Sequence, residues 1–133
     1  MKNQDLRNRT KQFALRIVRM FCALPKRTEA QVLGKQALRS GTSVAANFRE
    51  ASRARSTSEF LAKLGNVEQE LDETLLWLEL IVESGIVREA KMAALHQEAE
   101  ELLKITVRPL RRPSDASETQ SDNFPTSDFR IPN

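Results

Sequence analysis

LRSGTSVAANFREASRARS, residues 38–56, is the stretch on which the fold turns. It lies between two segments of strong helical pattern, yet it holds Ser40, Gly41, Thr42, Ser43 and Asn47 among four arginines. Read as a loop, it cuts the chain in two. Read as helix, it completes a long amphipathic rod. At about 100° per residue, Leu33, Ala37, Val44, Phe48 and Ala51 fall on one face, with Leu38 and Ala45 at its edge. The apolar phase passes through Gly41, Thr42 and Ser43 unbroken, so the stretch reads as helix. Each small polar residue weakens it by a few tenths of a kcal/mol, and glycine by about 1 kcal/mol. Tertiary packing has to make that up. Ser40, Gly41, Ala45 and Ala46 also let another helix come close. A phosphate-binding loop fits poorly, because there is one glycine, no preceding strand and no GK[ST] ending.

The polar side of the same rod is mostly basic. Lys35, Arg39, Arg49 and Arg53 fall within about 80° of one another, with Ser43 and Glu50 beside them and Arg55 just beyond. The imbalance extends along the chain. Residues 1–56 hold 13 basic and 3 acidic side chains, a net +10, and residues 57–106 hold 4 and 11, a net −7. Two readings stay open. The halves attract each other within or between subunits, or the basic half faces an anionic partner such as RNA or DNA.

Outward from this stretch, three more helices are expected. The first runs from about Asn3 to Leu24 with Leu6, Phe13, Ile17, Met20 and Phe21 at helical spacing, and Pro25 closes it. The second opens on Thr28-Glu29-Ala30-Gln31, a capping-box pattern, and reaches about Arg55. The third opens on a second such box, Ser56-Thr57-Ser58-Glu59, and runs to Ser84, with Gly85 as a left-handed C-terminal cap. The fourth runs from about Val87 to Arg108, where Pro109 ends it. The chain therefore reads as all-α: an up-and-down four-helix bundle over residues 1–108, and a tail over 109–133. The tail is rich in Ser, Asp, Pro and Thr, and is expected to be disordered or loosely docked. Its Phe124, Phe129 and Ile131 read as stray apolar residues or a short docking motif.

The third helix holds more apolar surface than one subunit needs. Phe60, Leu64, Val67, Leu71, Leu78 and Val82 form an inward seam, and Leu75, Leu76, Trp77, Leu80 and Ile81 extend it round the helix. From Leu75 to Val82 only Glu79 is charged. A helix apolar nearly all round has to be covered on more than one side. These five residues are the expected oligomer interface, with Trp77 as anchor. The competing reading has the first helix or the tail wrap over them.

Chemistry is sparse. His96 is the single histidine and has no nucleophile near it in sequence. The residue three before it is Ala93, so the Glu-x-x-His of di-iron bundles is missing. Glu68 and Asp72 stand one turn apart and read as a solvated or paired face. Zinc spacing and a glycine-rich nucleotide loop are absent from the sequence, so no catalytic residue, cofactor or metal is expected. Cys22, the one cysteine, fits a reducing compartment, and its place near the end of an amphipathic helix suggests a buried or half-buried thiol. Lys11, Arg16 and Arg19 break every apolar run near the N-terminus, and no run approaches a membrane span. The expectation is a cytoplasmic, non-enzymatic protein.

One resemblance bears on these readings. The pattern Pro25, Glu29, Arg39, Ser40, Ser43, Asn47, Glu50, then Ser56, Glu59 and Phe60, ahead of a long acidic and leucine-rich helix, resembles the four-helix-bundle family of 23S rRNA-intervening-sequence proteins. It covers about residues 6–107. The family often has Glu-Gly where this chain has Glu50-Ala51, and a Lys- or Gly-containing turn where this chain has Ser52-Arg53-Ala54-Arg55. The resemblance implies a ring-like homo-oligomer, typically a pentamer. The family includes the accessory protein of diversity-generating retroelements, which binds nucleic acid and a reverse transcriptase. It marks Ser43, Asn47 and Glu50 as polar positions of interest, with Asn47 either bridging helices or contacting RNA or DNA. The expected activity is nucleic-acid binding through Lys35, Arg39, Arg49, Arg53 and Arg55. The alternative is an adaptor that binds a protein partner through the ring surface or the tail.

Overall fold

The computed structural model describes residues 3–110. The expectations for the tail beyond residue 110 lie outside them. Four helices follow in order: α1 (Asn3–Cys22), α2 (Thr28–Ser52), α3 (Thr57–Glu83) and α4 (Glu89–Leu110), with no strand among the described residues. The connections are too short for anything but antiparallel neighbours. Each helix packs on the next, and α1 closes against α4. Cross-helix pairs give the register: Ile17 against Gly41, Ser40 against Thr74, Glu50 against Lys63, Glu79 against His96 and Arg9 against Glu98.

The 38–56 stretch is helix as far as Ser52, and Gly41 lies inside it. The reason is the close approach anticipated for its small residues. A Cβ at Gly41 would stand 2.8 Å from Ile17 Cγ1, so α1 crosses α2 where α2 has no side chain. One position earlier, Ser40 Oγ and Thr74 Oγ1 share a fully buried hydrogen bond of 2.7 Å, which joins α2 to α3. The core around this crossing is Phe13, Ile17, Val44, Phe48, Leu71 and Leu78.

The helix ends differ in part from the sequence reading. The box at Thr28 does not form. Arg27 is the N-cap, without a side-chain bond, and Gln31 Nε2 donates instead to the Pro25 carbonyl at 2.9 Å. At α3, Ser56 Oγ accepts from Glu59 N at 3.1 Å as a cap should. Glu59 Oε1, however, accepts from Arg55 N, one residue earlier than the reciprocal bond requires. Gly85 adopts φ 83°, the left-handed end expected of it. α4 runs through Pro109 to Leu110, past the expected stop. Proline at 109 leaves the Ile105 carbonyl without its i+4 donor, a loss confined to the last turn. Cys22 is exposed rather than buried, because Phe21 and Leu24 take the inward positions around it.

Candidate functional site

Arginines on one face of a helix still occupy different heights. Arg49 lies fourteen residues beyond Lys35, about 21 Å along the axis at 1.5 Å per residue. The structure separates the expected basic face accordingly. Arg39 reaches across to α3, where Nη1 meets Glu70 Oε1 at 3.4 Å and Nη2 pairs with Glu73. Its charge serves the α2–α3 contact. Lys35 stands exposed in the N-terminal half of α2, away from Arg49.

Arg49, Arg53 and Arg55 converge on a groove of about 710 Å³ at the C-terminal end of α2. Three residues that the sequence reading passed over complete it: Arg7 and Lys11 from α1, and Lys63 from α3. Arg7 and Lys11 are one turn apart and share a face of α1, a spacing readable in the sequence. Which helix that face would meet was not. Ala45 and Ala46 form the floor, where small side chains leave room between the cationic walls.

Two carboxylates enter this groove, and both are engaged. Glu50 Oε1 accepts from Lys63 Nζ at 2.8 Å, and this bond raises the lysine pKa above its ordinary value. Glu59 accepts from the Arg55 backbone. Arg7, Lys11, Arg49, Arg53 and the Arg55 side chain make no ion pair among the described residues. Arg7 Nε is buried and has no acceptor among the described residues. The contrast within α1 is instructive. Arg9, two residues on, holds Glu98 through two bonds of 2.8 and 2.9 Å and meets Glu101 at 3.1 Å. The Glu98 hydrogen bond raises its pKa further. Arg9 fastens α1 to α4, while Arg7 and Lys11 face the groove.

The family-motif polar positions do local work. Asn47 Nδ2 donates to the Ser43 carbonyl at 2.9 Å within α2, so it bridges no helices. Ser43 is half-buried beside it, and Glu50 is the partner of Lys63. His96 Nε2 lies 2.8 Å from Glu79 Oε2, a bond between α4 and α3. No group of three potential metal ligands occurs among the described residues, and no helix there is long and apolar enough to cross a membrane.

The expected interface residues divide by helical phase. Leu75 and Ile81 point into the bundle's own core, so they are withdrawn from any outer surface. Leu76 and Leu80 are exposed, at 47% and 37%. Trp77 is half-buried and its Nε1, shut off from solvent, has no acceptor among the described residues. The Arg39–Glu73 pair sets the register, and seven residues on along each antiparallel helix this register puts Val32 at about the same level of the bundle as Leu80. Val32 is 56% exposed. The apolar patch and the basic groove therefore occupy opposite ends of the α2–α3 pair.

Comparison with known proteins gives two findings. The family model described as 23S rRNA-intervening sequence protein matches residues 2–108. A crystal structure of a protein with unknown function from the S23 ribosomal protein family of Bacteroides thetaiotaomicron is similar at 32% sequence identity. The match covers 80% of this chain and 98% of that one, with a TM-score of 0.74. No curated protein matches the chain.

Proposed function

The chain belongs to the 23S rRNA-intervening sequence protein family, and from that premise we propose that it is a non-enzymatic, self-associating helical protein of the cytoplasm that binds RNA or DNA through the groove between α1, α2 and α3. The observation that carries this reading is the set of five cationic side chains there without a carboxylate partner among the described residues. Unneutralised positive charge between low-dielectric walls concentrates anions. Arginines and lysines spread along a groove suit successive phosphates and read no base edge, so the binding is of the backbone. Ring-like assembly, as a pentamer, is the form in which the exposed Leu76, Leu80 and Val32 would be covered. That same patch supports the second reading, an adaptor for a protein partner such as a reverse transcriptase.

The test is the variant Arg49→Glu, Arg53→Glu, Arg55→Glu set beside Arg39→Glu, each titrated with mixed RNA and DNA. The triple variant is expected to keep its melting temperature and oligomeric state and to lose binding. Wild-type affinity should fall steeply with salt, with a log–log slope of about −0.9 per phosphate contact on duplex DNA. Arg39→Glu is expected to lower stability, by placing a third carboxylate beside Glu70 and Glu73, while retaining most binding. Wild-type protein that binds neither nucleic acid at low salt refutes the reading and leaves the adaptor.

A further inference from the structure

The groove and the last turn of α4 lie at the same end of the bundle. Arg7, Lys11, Arg49, Glu59 and Lys63 of the groove are the chain neighbours of Leu6, Thr10, Phe48, Phe60 and Leu64. Those five line a second cavity, of about 400 Å³, which Arg108 and Pro109 of α4 also line. The chain beyond Leu110 therefore sets out from the same layer of the molecule as the cationic side chains. Arg111 and Arg112 follow Leu110, and residues 113–128, PSDASETQSDNFPTSD, then hold Asp115, Glu118, Asp122 and Asp128 and no basic residue. Twelve residues, Leu110 to Asp122, span up to about 40 Å, more than three helix diameters of 10–12 Å. The segment therefore has the length to bring its acids from the end of α4 to the groove.

We propose that residues 113–128 occupy the basic groove of their own chain in the free protein and are displaced when nucleic acid binds. Occupancy follows from charge complementarity and from where α4 ends. Displacement rests in addition on the nucleic-acid reading above. Carboxylates meeting Arg7, Arg49, Arg53 and Arg55 form charge-assisted bonds of the kind a phosphate would form there. The segment thereby competes for the groove and screens it from weakly binding anions. Such a contact is intramolecular, so a short connection keeps its effective concentration high, and salt weakens it.

Carbodiimide cross-linking of the full-length protein tests occupancy directly, since it joins a lysine amine to a carboxylate only where the two touch. Lys11 and Lys63 are expected to link to Asp115, Glu118 or Asp122 at low salt, and much less at about 1 M salt, where the Debye length is about 3 Å. Links that are absent, or spread evenly over Lys26, Lys35 and Lys91, overturn the proposal. So do links between unlike isotopes in a mixture of light and heavy-nitrogen chains, which would assign the segment to a neighbouring copy. Displacement is read from the full-length variant Asp115→Asn, Glu118→Gln, Asp122→Asn, Asp128→Asn. If the segment fills the groove nine-tenths of the time, this variant binds a short single-stranded oligonucleotide about tenfold more tightly than wild type. A charge-matched control at the far end of the bundle, Glu29→Gln, Glu79→Gln, Glu83→Gln, Glu89→Gln, is expected to change affinity less than about twofold, because that end lies several Debye lengths away. Equal gains in the two variants overturn displacement. Binding by none of the proteins refutes the nucleic-acid reading alone, and the cross-links then decide occupancy.

Discussion

Helices α2 and α3 run antiparallel over 25 and 27 residues and bury opposite kinds of side chain. α2 turns Ala30, Gly34, Ala37, Ser40, Gly41 and Ala51 inward, with Val44 and Phe48 as its large buried groups. α3 turns in Leu64, Val67, Leu71, Leu75, Leu78 and Ile81. The two are complementary. A helix with a small inward face can be approached closely on two sides, so α1 and α3 both lie hard against α2. A helix with a large inward face fills the volume that remains. The outer faces differ in the same way. α2 carries mainly basic charge toward its C-terminal end, with Glu50 as the one acid, and α3 carries acids interrupted by leucines. Crowding on the inside of α2 and surplus on the outside of α3 each make a prediction.

The largest effect is expected where crowding is greatest. In Gly41→Val the new Cβ meets Ile17 Cγ1 at 2.8 Å and Cγ2 at 3.0 Å. Ile17 is fully buried, so it cannot turn out into solvent to make room. Overpacking of this kind costs about 3 kcal/mol, a fall in Tm of about 10 °C for a domain of this size, measurable by calorimetry. The strain is specific to one neighbour. Adding Ile17→Ala to Gly41→Val should therefore destabilise less than the two single changes added together. Strict additivity would mean that α1 and α2 do not meet at this crossing, and the contrast between the two helices would lose its basis.

A second effect tests the surplus on α3. Leu76→Glu with Leu80→Glu places charge at two exposed positions, so the helical circular dichroism and the Tm should stay near wild type. If this patch joins subunits, light scattering should show the assembly falling to the 15.1 kDa chain, because a charge buried at an interface without a partner is costly. Leu75→Glu, one residue away, should instead unfold the bundle, since Leu75 faces its core. A wild-type chain that is monomeric at all concentrations removes the interface. Exposed Leu76 and Leu80 would then mark a surface for another protein.

How much of this was legible in the sequence depends on the kind of fact. The four helices and the continuity of α2 follow from periodicity, which is local, and the helical phase of Val44, Phe48 and Ala51 predicted their burial. The caps were less legible. Thr28-Glu29-Ala30-Gln31 has the right letters, but the helix begins one residue early and Gln31 finds the Pro25 carbonyl instead. The basic face of α2 was legible as a direction and not as a site. Lys35, Arg39, Arg49 and Arg53 share an angle, but only the register of α2 on α3 sends Arg39 to Glu70 and Glu73. Only the packing of α1 on α2 brings Arg7 and Lys11 to Arg49. Likewise, an apolar run from Leu75 to Val82 announces excess without saying which leucines the subunit keeps. Phase relative to the core decides that, and it withdraws Leu75 and Ile81.

The smallest effect uses the glycine of α3 as the counterpart of Gly41. Gly65 lies within α3, and a Cβ built on it meets nothing within 4 Å. Here glycine performs no packing task, and it carries the full entropic disadvantage of glycine in a helix. Gly65→Ala should therefore stabilise the protein by about 0.5–1 kcal/mol, raising Tm by a few degrees. The same amino acid thus gives opposite signs at two mid-helix positions, and the sign is set by the neighbour and not by helix propensity. A loss of stability at Gly65 would mean that something outside the described bundle presses on this face of α3. The dissociated Leu76→Glu, Leu80→Glu background separates the sources. A gain from Gly65→Ala there, set against a loss in the assembled wild type, would place Gly65 under a neighbouring subunit. A loss in both would show that the chain's own tail covers it, and would draw that tail away from the basic groove.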